Sequence, residues 1–241
     1  MLEGGKMNPD KIAKTIFDRV VDYCTNNYDN PHNTYVFSDP LDCMAYYAPN
    51  TLEAFLDNFL TNEDNDIIET KKNSGWEFWD MVKSEYIKLW RKWVDEELAY
   101  KLGHILESEA QRIMKDNELD DSSKVRYLTE YAEVLNKFAD TIKQALQNGE
   151  PLSVENLYDW YKMLADVTSP FNSDYRNELL YKVLYLMDYY GYYGVSDYGA
   201  YGTGDTDLLQ ILSLLLDYIN RTLYNIENKY LPELEVLTNS G

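Results

Sequence analysis

The sequence predicts an all-α protein, a multi-helix bundle of about seven to eight helices built round a long antiparallel helical hairpin at about 74–147. Three observations carry that expectation. Apolar residues recur at helical spacing from Ser74 to about Asp116, a run of roughly 60 Å at about 1.5 Å per residue. Val125, Leu128, Ala132, Leu135, Ala139, Ile142 and Leu146 then alternate in threes and fours, a heptad seam that needs a partner helix. Polar capping residues followed by proline or acid recur where helices are expected to begin.

Asn8-Pro9-Asp10 opens the first helix, which carries Ile12, Ile16, Phe17, Val20, Val21 and Cys24 on one face and ends near Asn27. The turn-rich stretch Asn27–Asn33 follows, and Thr34–Phe37 is extended in character without a convincing pairing partner. Asp39-Pro40 starts a short helix through about Tyr47. Asn50 caps another, bearing Leu52, Phe55, Leu56, Phe59 and Leu60. Thr61–Ser74 is polar and is expected to be a connector, so within a single expected domain residues 1–60 are assigned to an N-terminal lobe and 61–241 to the main bundle.

In the long helix that follows, the tryptophans at 76, 79, 90 and 93 and Tyr86 fall within an arc of roughly 100°. Trp79, Trp90 and Trp93 are expected to pack, with Trp76 at the helix start less firmly placed. Glu77, Asp80, Glu85, Lys88, Arg91, Lys92 and Asp95 form a solvated, salt-paired face. Gly103 marks a bend or a close approach of another helix. The heptad helix, about Ser122–Gln147, stops at Asn148-Gly149 and Pro151. Helices are expected from Ser153 to Ser169 and from Ser173 to about Tyr190. A last helix, Thr206–Tyr230, is apolar nearly all round in its first half and is expected to be the most buried, with a frayed tail after Pro232.

Charge narrows the function classes. There are 42 acidic and 22 basic residues, a net charge of −20, which repels phosphate and excludes a Lys/Arg-rich nucleic-acid footprint. No apolar run reaches the roughly 20 residues that span a bilayer, so no membrane insertion is expected. Met1–Met7 lacks the apolar core of a secretory signal. Leu2-Glu3-Gly4-Gly5-Lys6 before Met7 reads like a translated ribosome-binding sequence, so Met7 is expected to be the native start of a prokaryotic or viral gene. Cys24 and Cys43 are expected to be reduced, partly buried thiols in a cytoplasmic protein.

The 23 tyrosines are the second excess. Six of them crowd the glycine-rich stretch 189–205, whose composition is that of an adaptable contact surface. The candidate partner-binding residues are Tyr189, Tyr190, Tyr192, Tyr193, Asp197, Tyr198, Tyr201 and Asp205. Chemistry has little to stand on. His104 and Glu107 resemble half of a bundle metal site in reversed order, His32 lies in a turn, and the acidic loops Asn62–Asp66 and Asp116–Asp121 lack the glycine and glutamate of an EF-hand. No catalytic, metal or cofactor site is therefore assigned.

The function expected is a non-enzymatic acidic interaction protein of viral or mobile-element origin. It would occupy a basic, nucleic-acid-binding surface of a host protein, such as a CRISPR or other defence effector, in the host cytoplasm. A self-assembling virion subunit and a carboxylate-metal enzyme are the alternatives, and a homodimer is compatible with either interaction reading.

Overall fold

The computed structural model describes residues 7–149 and 208–240, and among them every regular element is helical. In chain order these are α1 (Pro9–Asn26), α2 (Pro40–Tyr46), a broken 3-10/α/3-10 run made of Pro49–Thr51, α3 (Leu52–Phe55) and Leu56–Phe59, then α4 (Asn65–Asn73), α5 (Trp76–Lys115), α6 (Asp121–Asn148), α7 (Leu208–Asn225), a π-helical turn (Ile226–Tyr230) and α8 (Leu231–Asn239). The all-α class and the long α5 and α6 agree with the sequence reading. The expected helices at 153–169 and 173–190 lie outside the described residues. The chain divides into two compact units, Met1–Asp95 and Glu96–Gly241, with α5 contributing to both.

In the first unit, Ile12, Ile16 and Val20 of α1 are fully buried, as are Leu41 and Met44 of α2 and Val82 and Tyr86 of α5. Each such aliphatic side chain contributes about 1.5–3 kcal/mol by leaving water. Directed hydrogen bonds then fix the orientation of α2. The Tyr86 hydroxyl donates to the Tyr47 carbonyl and the Trp90 indole N–H donates to the Met44 carbonyl, both at 2.8 Å. These two α5 side chains thus satisfy carbonyls at the end of α2 that no helical partner reaches. Asp39 caps the other end, accepting from the Asp42 N–H at 2.9 Å.

Cys24 and Cys43 form a disulfide, with Cα atoms 5.4 Å apart and both residues fully buried. The expectation of reduced thiols is corrected: α1 delivers Cys24 on its buried face and α2 delivers Cys43 on the face opposing it. The polar stretch after Thr61 also differs from expectation, because it folds into α4, which buries Ile67 and Thr70. Asp95, assigned to a solvated face, is only 7% exposed and stands 3.9 Å from Arg91. Trp90 packs as expected, Trp79 and Trp93 are half-buried, and Trp76 is exposed.

In the second unit, α6 folds back on the second half of α5. Leu98, Leu102 and Leu106 of α5 and Leu128, Leu135 and Ile142 of the α6 seam are all buried, and the two helices pack together. Tyr131 and Phe138, off the strict heptad, are buried too, so the stripe is wider than a coiled-coil seam. Tyr131 donates to the Leu106 carbonyl at 2.8 Å, and Lys124 Nζ to the Met114 carbonyl at 2.9 Å. Gly149, with φ +64°, closes α6 in the left-handed conformation and returns its N–H to Ala145.

Gly103 proves to be a close approach: a Cβ built there would lie 2.4 Å from Tyr218 Cγ of α7. α7 is amphipathic in its described part, with Leu212, Leu215 and Ile219 buried but Ser213, Asp217 and Asn220 exposed, rather than apolar all round. The chain after it does not fray. It widens into the π turn, which precedes Pro232, and continues as α8, burying Leu234.

Candidate functional site

The residues singled out from composition, Tyr189, Tyr190, Tyr192, Tyr193, Asp197, Tyr198, Tyr201 and Asp205, lie outside the described residues. A different aromatic surface is built in the first unit, between α1 and α2. The chain from Asn27 to Asp39 has no regular structure, yet it is closely held. Asn33 donates its side-chain N–H to the Asn27 carbonyl at 2.6 Å, His32 N–H reaches the Asn30 side chain at 3.0 Å, and Phe37 N–H closes the base on the Tyr28 carbonyl at 2.8 Å. Ser38 adds a hydrogen bond to the Asp42 carboxylate. Beneath the loop, the buried disulfide ties its two flanks together.

Ring contacts run from this loop inward. Tyr35 lies 5.0 Å from Tyr46, Phe37 lies 5.5 Å from Tyr46, and Tyr46 lies 5.0 Å from Tyr47. Tyr47 then meets Phe55 at 5.0 Å edge to face, and Phe55 meets Tyr86 at 6.1 Å. The inner rings are buried, and burial beside Tyr23 and Tyr46 pushes the Tyr47 hydroxyl up to about 12. The outer rings are not: Tyr35, Val36 and Tyr46 are 52%, 57% and 45% exposed. A hydrogen bond with Tyr35 raises the Tyr46 hydroxyl above its ordinary value. The result is an exposed aromatic edge carried on a covalently tied, hydrogen-bonded support, which limits the ordering that contact would require.

Its electrostatics are one-sided. No Lys or Arg occurs between Arg19 and Lys71, while ten Asp and Glu do. Three cations, Arg19, Lys71 and Lys83, engage carboxylates of its second half. Arg19 forms a bidentate pair with Asp64 at 2.7 Å, Lys71 meets Asp57 at 2.7 Å, and Lys83 meets Glu53 at 3.2 Å. Arg19, followed by the Thr61 N–H, holds the Asp64 carboxyl well below the usual carboxylate range. On the loop side stand Asp22, Asp29, Asp39 and Asp42.

Two other clusters are structurally explained. A surface cleft of about 480 Å³ is lined by Pro9, Asp10, Asp80, Met81, Ser84 and Glu85; its Asp10 lies in the first turn of α1, where it complements the helix dipole. In the second unit, Glu107 accepts from the Tyr230 hydroxyl and from Gln111 at 3.3 Å, while Arg112 stands 3.5 Å from Glu109 and 3.7 Å from Asp116. Burial and the Glu107 contact push the Tyr230 hydroxyl up to about 12. His104 stacks on Tyr100 rather than meeting Glu107. The two acidic loops have structural duties, since Asp64 binds Arg19 and Asp120 caps α6 through the Ser123 N–H at 2.7 Å. Among the described residues, no three His, Cys, Asp or Glu side chains converge as a metal site.

The loop edge escaped the sequence reading because its tyrosines have no periodicity and no glycine-rich setting. The signal that could have found it is the long absence of Lys and Arg after Arg19, coinciding with Tyr23, Tyr28, Tyr35, Tyr46 and Tyr47. No helix among the described residues is long and apolar enough to cross a membrane. Comparison with protein-family models, with curated proteins and with solved structures gave no match.

Proposed function

We propose that this chain is a non-enzymatic interaction protein that binds, and thereby covers, a basic surface of another protein. The observation that carries this reading is the stretch between Arg19 and Lys71, where ten acids and no lysine or arginine share one compact unit with an exposed aromatic edge. Carboxylates steer a cationic partner into encounter, and aromatic side chains supply the contact area that holds it. Phosphate ligands suit such a surface poorly, since every approach is opposed by the same charge.

Binding should therefore weaken steeply with salt. The test is titration of the full chain against an arginine- and leucine-rich amphipathic peptide and against the same peptide with glutamate in place of arginine. Salt-sensitive binding of the first alone supports the reading, while equal binding of both, or none of either, overturns it. Light scattering of the chain by itself separates this function from a self-assembling subunit, which would form large particles unaided.

A further inference from the structure

We propose that Cys24 and Cys43 are joined by a disulfide-forming oxidoreductase while the chain is still folding, and that the first unit is therefore completed in an oxidising compartment rather than in a reducing cytoplasm. This holds whatever partner the folded chain binds.

The bond has the character of a lasting cross-link. These are the chain's two cysteines, and both are fully buried. Buried aliphatic residues accompany them along their helices, Val20 one turn before Cys24, and Leu41 and Met44 close to Cys43. A cysteine suited to reversible redox exchange is accessible and stands near a cation or the start of a helix. Cys24 stands instead in the last turn of α1, where the negative end of the helix dipole opposes a thiolate. Cys43 follows two acids, Asp39 and Asp42, and no Lys or Arg occurs between Arg19 and Lys71. Both positions therefore suit a structural tie rather than a redox sensor.

Timing follows from the same burial. Exchange requires a thiolate to reach the donor's disulfide, and in the folded unit both sulfurs are covered. The bond must form before packing is complete, and the order of the chain provides the interval. Both cysteines precede α5, which carries the Tyr86 and Trp90 side chains that hold the end of α2 through the Tyr47 and Met44 carbonyls. α2 has seven residues, well short of the roughly 12–15 at which an isolated helix becomes even marginally stable in water. Until α5 packs, α2 is not held in place and Cys43 is open to the donor; afterwards it is closed.

The reaction is thiol–disulfide exchange with the oxidised active-site disulfide of the oxidoreductase. One cysteine thiolate attacks that disulfide, forming a mixed disulfide and releasing one donor sulfur. The second cysteine thiolate then attacks the chain's sulfur in the mixed disulfide, which forms the Cys24–Cys43 bond and releases the other donor sulfur. Two electrons and two protons leave the cysteine pair, and the donor becomes a dithiol. Such bonds accumulate in oxidising surroundings and are rare where glutathione and thioredoxin keep thiols reduced. The second unit, Glu96–Gly241, contains no cysteine, so the requirement falls on the first unit alone.

The experiment uses the full chain made in three ways: exported to the periplasm of an ordinary bacterium, exported in a strain lacking the periplasmic disulfide-forming oxidoreductase, and retained in a reducing cytoplasm. Each is denatured in maleimide at harvest to count free thiols by mass. Each is also unfolded in anaerobic urea beside an exported Cys24→Ala/Cys43→Ala variant. The expected result is no free thiol in the first preparation and two in each of the others. The thiol-bearing chains and the alanine pair should unfold together, at a folded-to-unfolded ratio about a hundredfold below that of the bonded chain. Loss of the thiol-bearing chains from the soluble fraction, matched by the alanine pair, supports the proposal equally. Two free thiols in the chain exported by the ordinary strain overturn the cross-link. A complete bond in the cytoplasmic chain overturns the compartment, and a complete bond in the strain without the oxidoreductase overturns the role of that enzyme. Thiol-bearing chains as stable as the bonded one overturn the dependence of the first unit on the bond.

Discussion

Trp90 donates its indole N–H to the carbonyl of Met44 at 2.8 Å, so a side chain midway along the long helix α5 holds the end of a helix 46 residues earlier in the chain. The donor is 2% exposed and the acceptor residue fully buried. Replacing Trp90 by Phe keeps an aromatic ring but leaves that carbonyl without its partner. The expected cost is about 1–3 kcal/mol, read by urea unfolding. A variant as stable as the parent would mean that the carbonyl finds another donor.

Gly103 is a second long-range dependence. Alanine is the better helix former by about 1 kcal/mol, so on propensity alone Gly103→Ala should stabilise α5. The contact with Tyr218 reverses the sign. The added methyl would sit 2.4 Å from Tyr218 Cγ and 2.5 Å from its Cβ, and no side-chain rotation moves the Cβ away. Overpacking of this kind costs about 1–3 kcal/mol. Gly103→Ala is expected to lower the melting temperature, and Tyr218→Gly in the same chain, which removes both clashing atoms, to cost less than it does beside Gly103. Additive effects of the two substitutions would show that they do not meet.

The Arg19–Asp64 pair gives a pH prediction. Asp64 titrates below its ordinary range in the folded protein, so between the two values the unfolded chain binds the extra proton. Its contribution is therefore fully present above about pH 4, the unfolded carboxyl value, and is lost as the pH falls below it. Asp64→Asn should lower the melting temperature at neutral pH, with the gap to the parent closing in acid. A gap that stays constant down to acid unfolding would contradict the pairing.

Removing the disulfide should cost at least as much as removing the Trp90 hydrogen bond. The bridge joins residues 19 apart in sequence, and closing a loop of that size restricts the unfolded chain by about 3 kcal/mol. Cys24→Ala/Cys43→Ala is expected to lose about that much in denaturant unfolding. The intact parent, assayed with a reductant at a temperature where it stays folded, should resist reduction, since both sulfurs are covered. Rapid reduction of the folded parent would show that they are not.

Much of the fold was legible in the sequence because its signals are local. The α6 seam needs only a repeat in threes and fours, and five of its seven named positions, Leu128, Ala132, Leu135, Ala139 and Ile142, are buried. Asp39-Pro40 and Gly149 mark ends through their own backbone preferences. The misses have the opposite character. α4 is polar in composition, and what it buries, Ile67 and Thr70, shows only in the folded unit. Nothing in the spacing of Cys24 and Cys43 states that α1 and α2 place their Cα atoms 5.4 Å apart. The exposed aromatic edge was missed for the same reason. Tyrosine crowding at 189–205 is visible in one line of sequence, whereas Tyr35 and Tyr46 meet only once a loop turns back on a short helix.

The tie between α1 and α2 also changes what a protease can achieve. An exposed loop tip is where an endopeptidase usually cuts, and His32, Thr34 and Tyr35 are all accessible. Hydrolysis there would break the backbone between Cys24 and Cys43 and leave the two pieces joined through sulfur. The severed chain would run as one species on a gel until reductant was added, so a protease that cleaves this loop would nick the molecule without dismantling it.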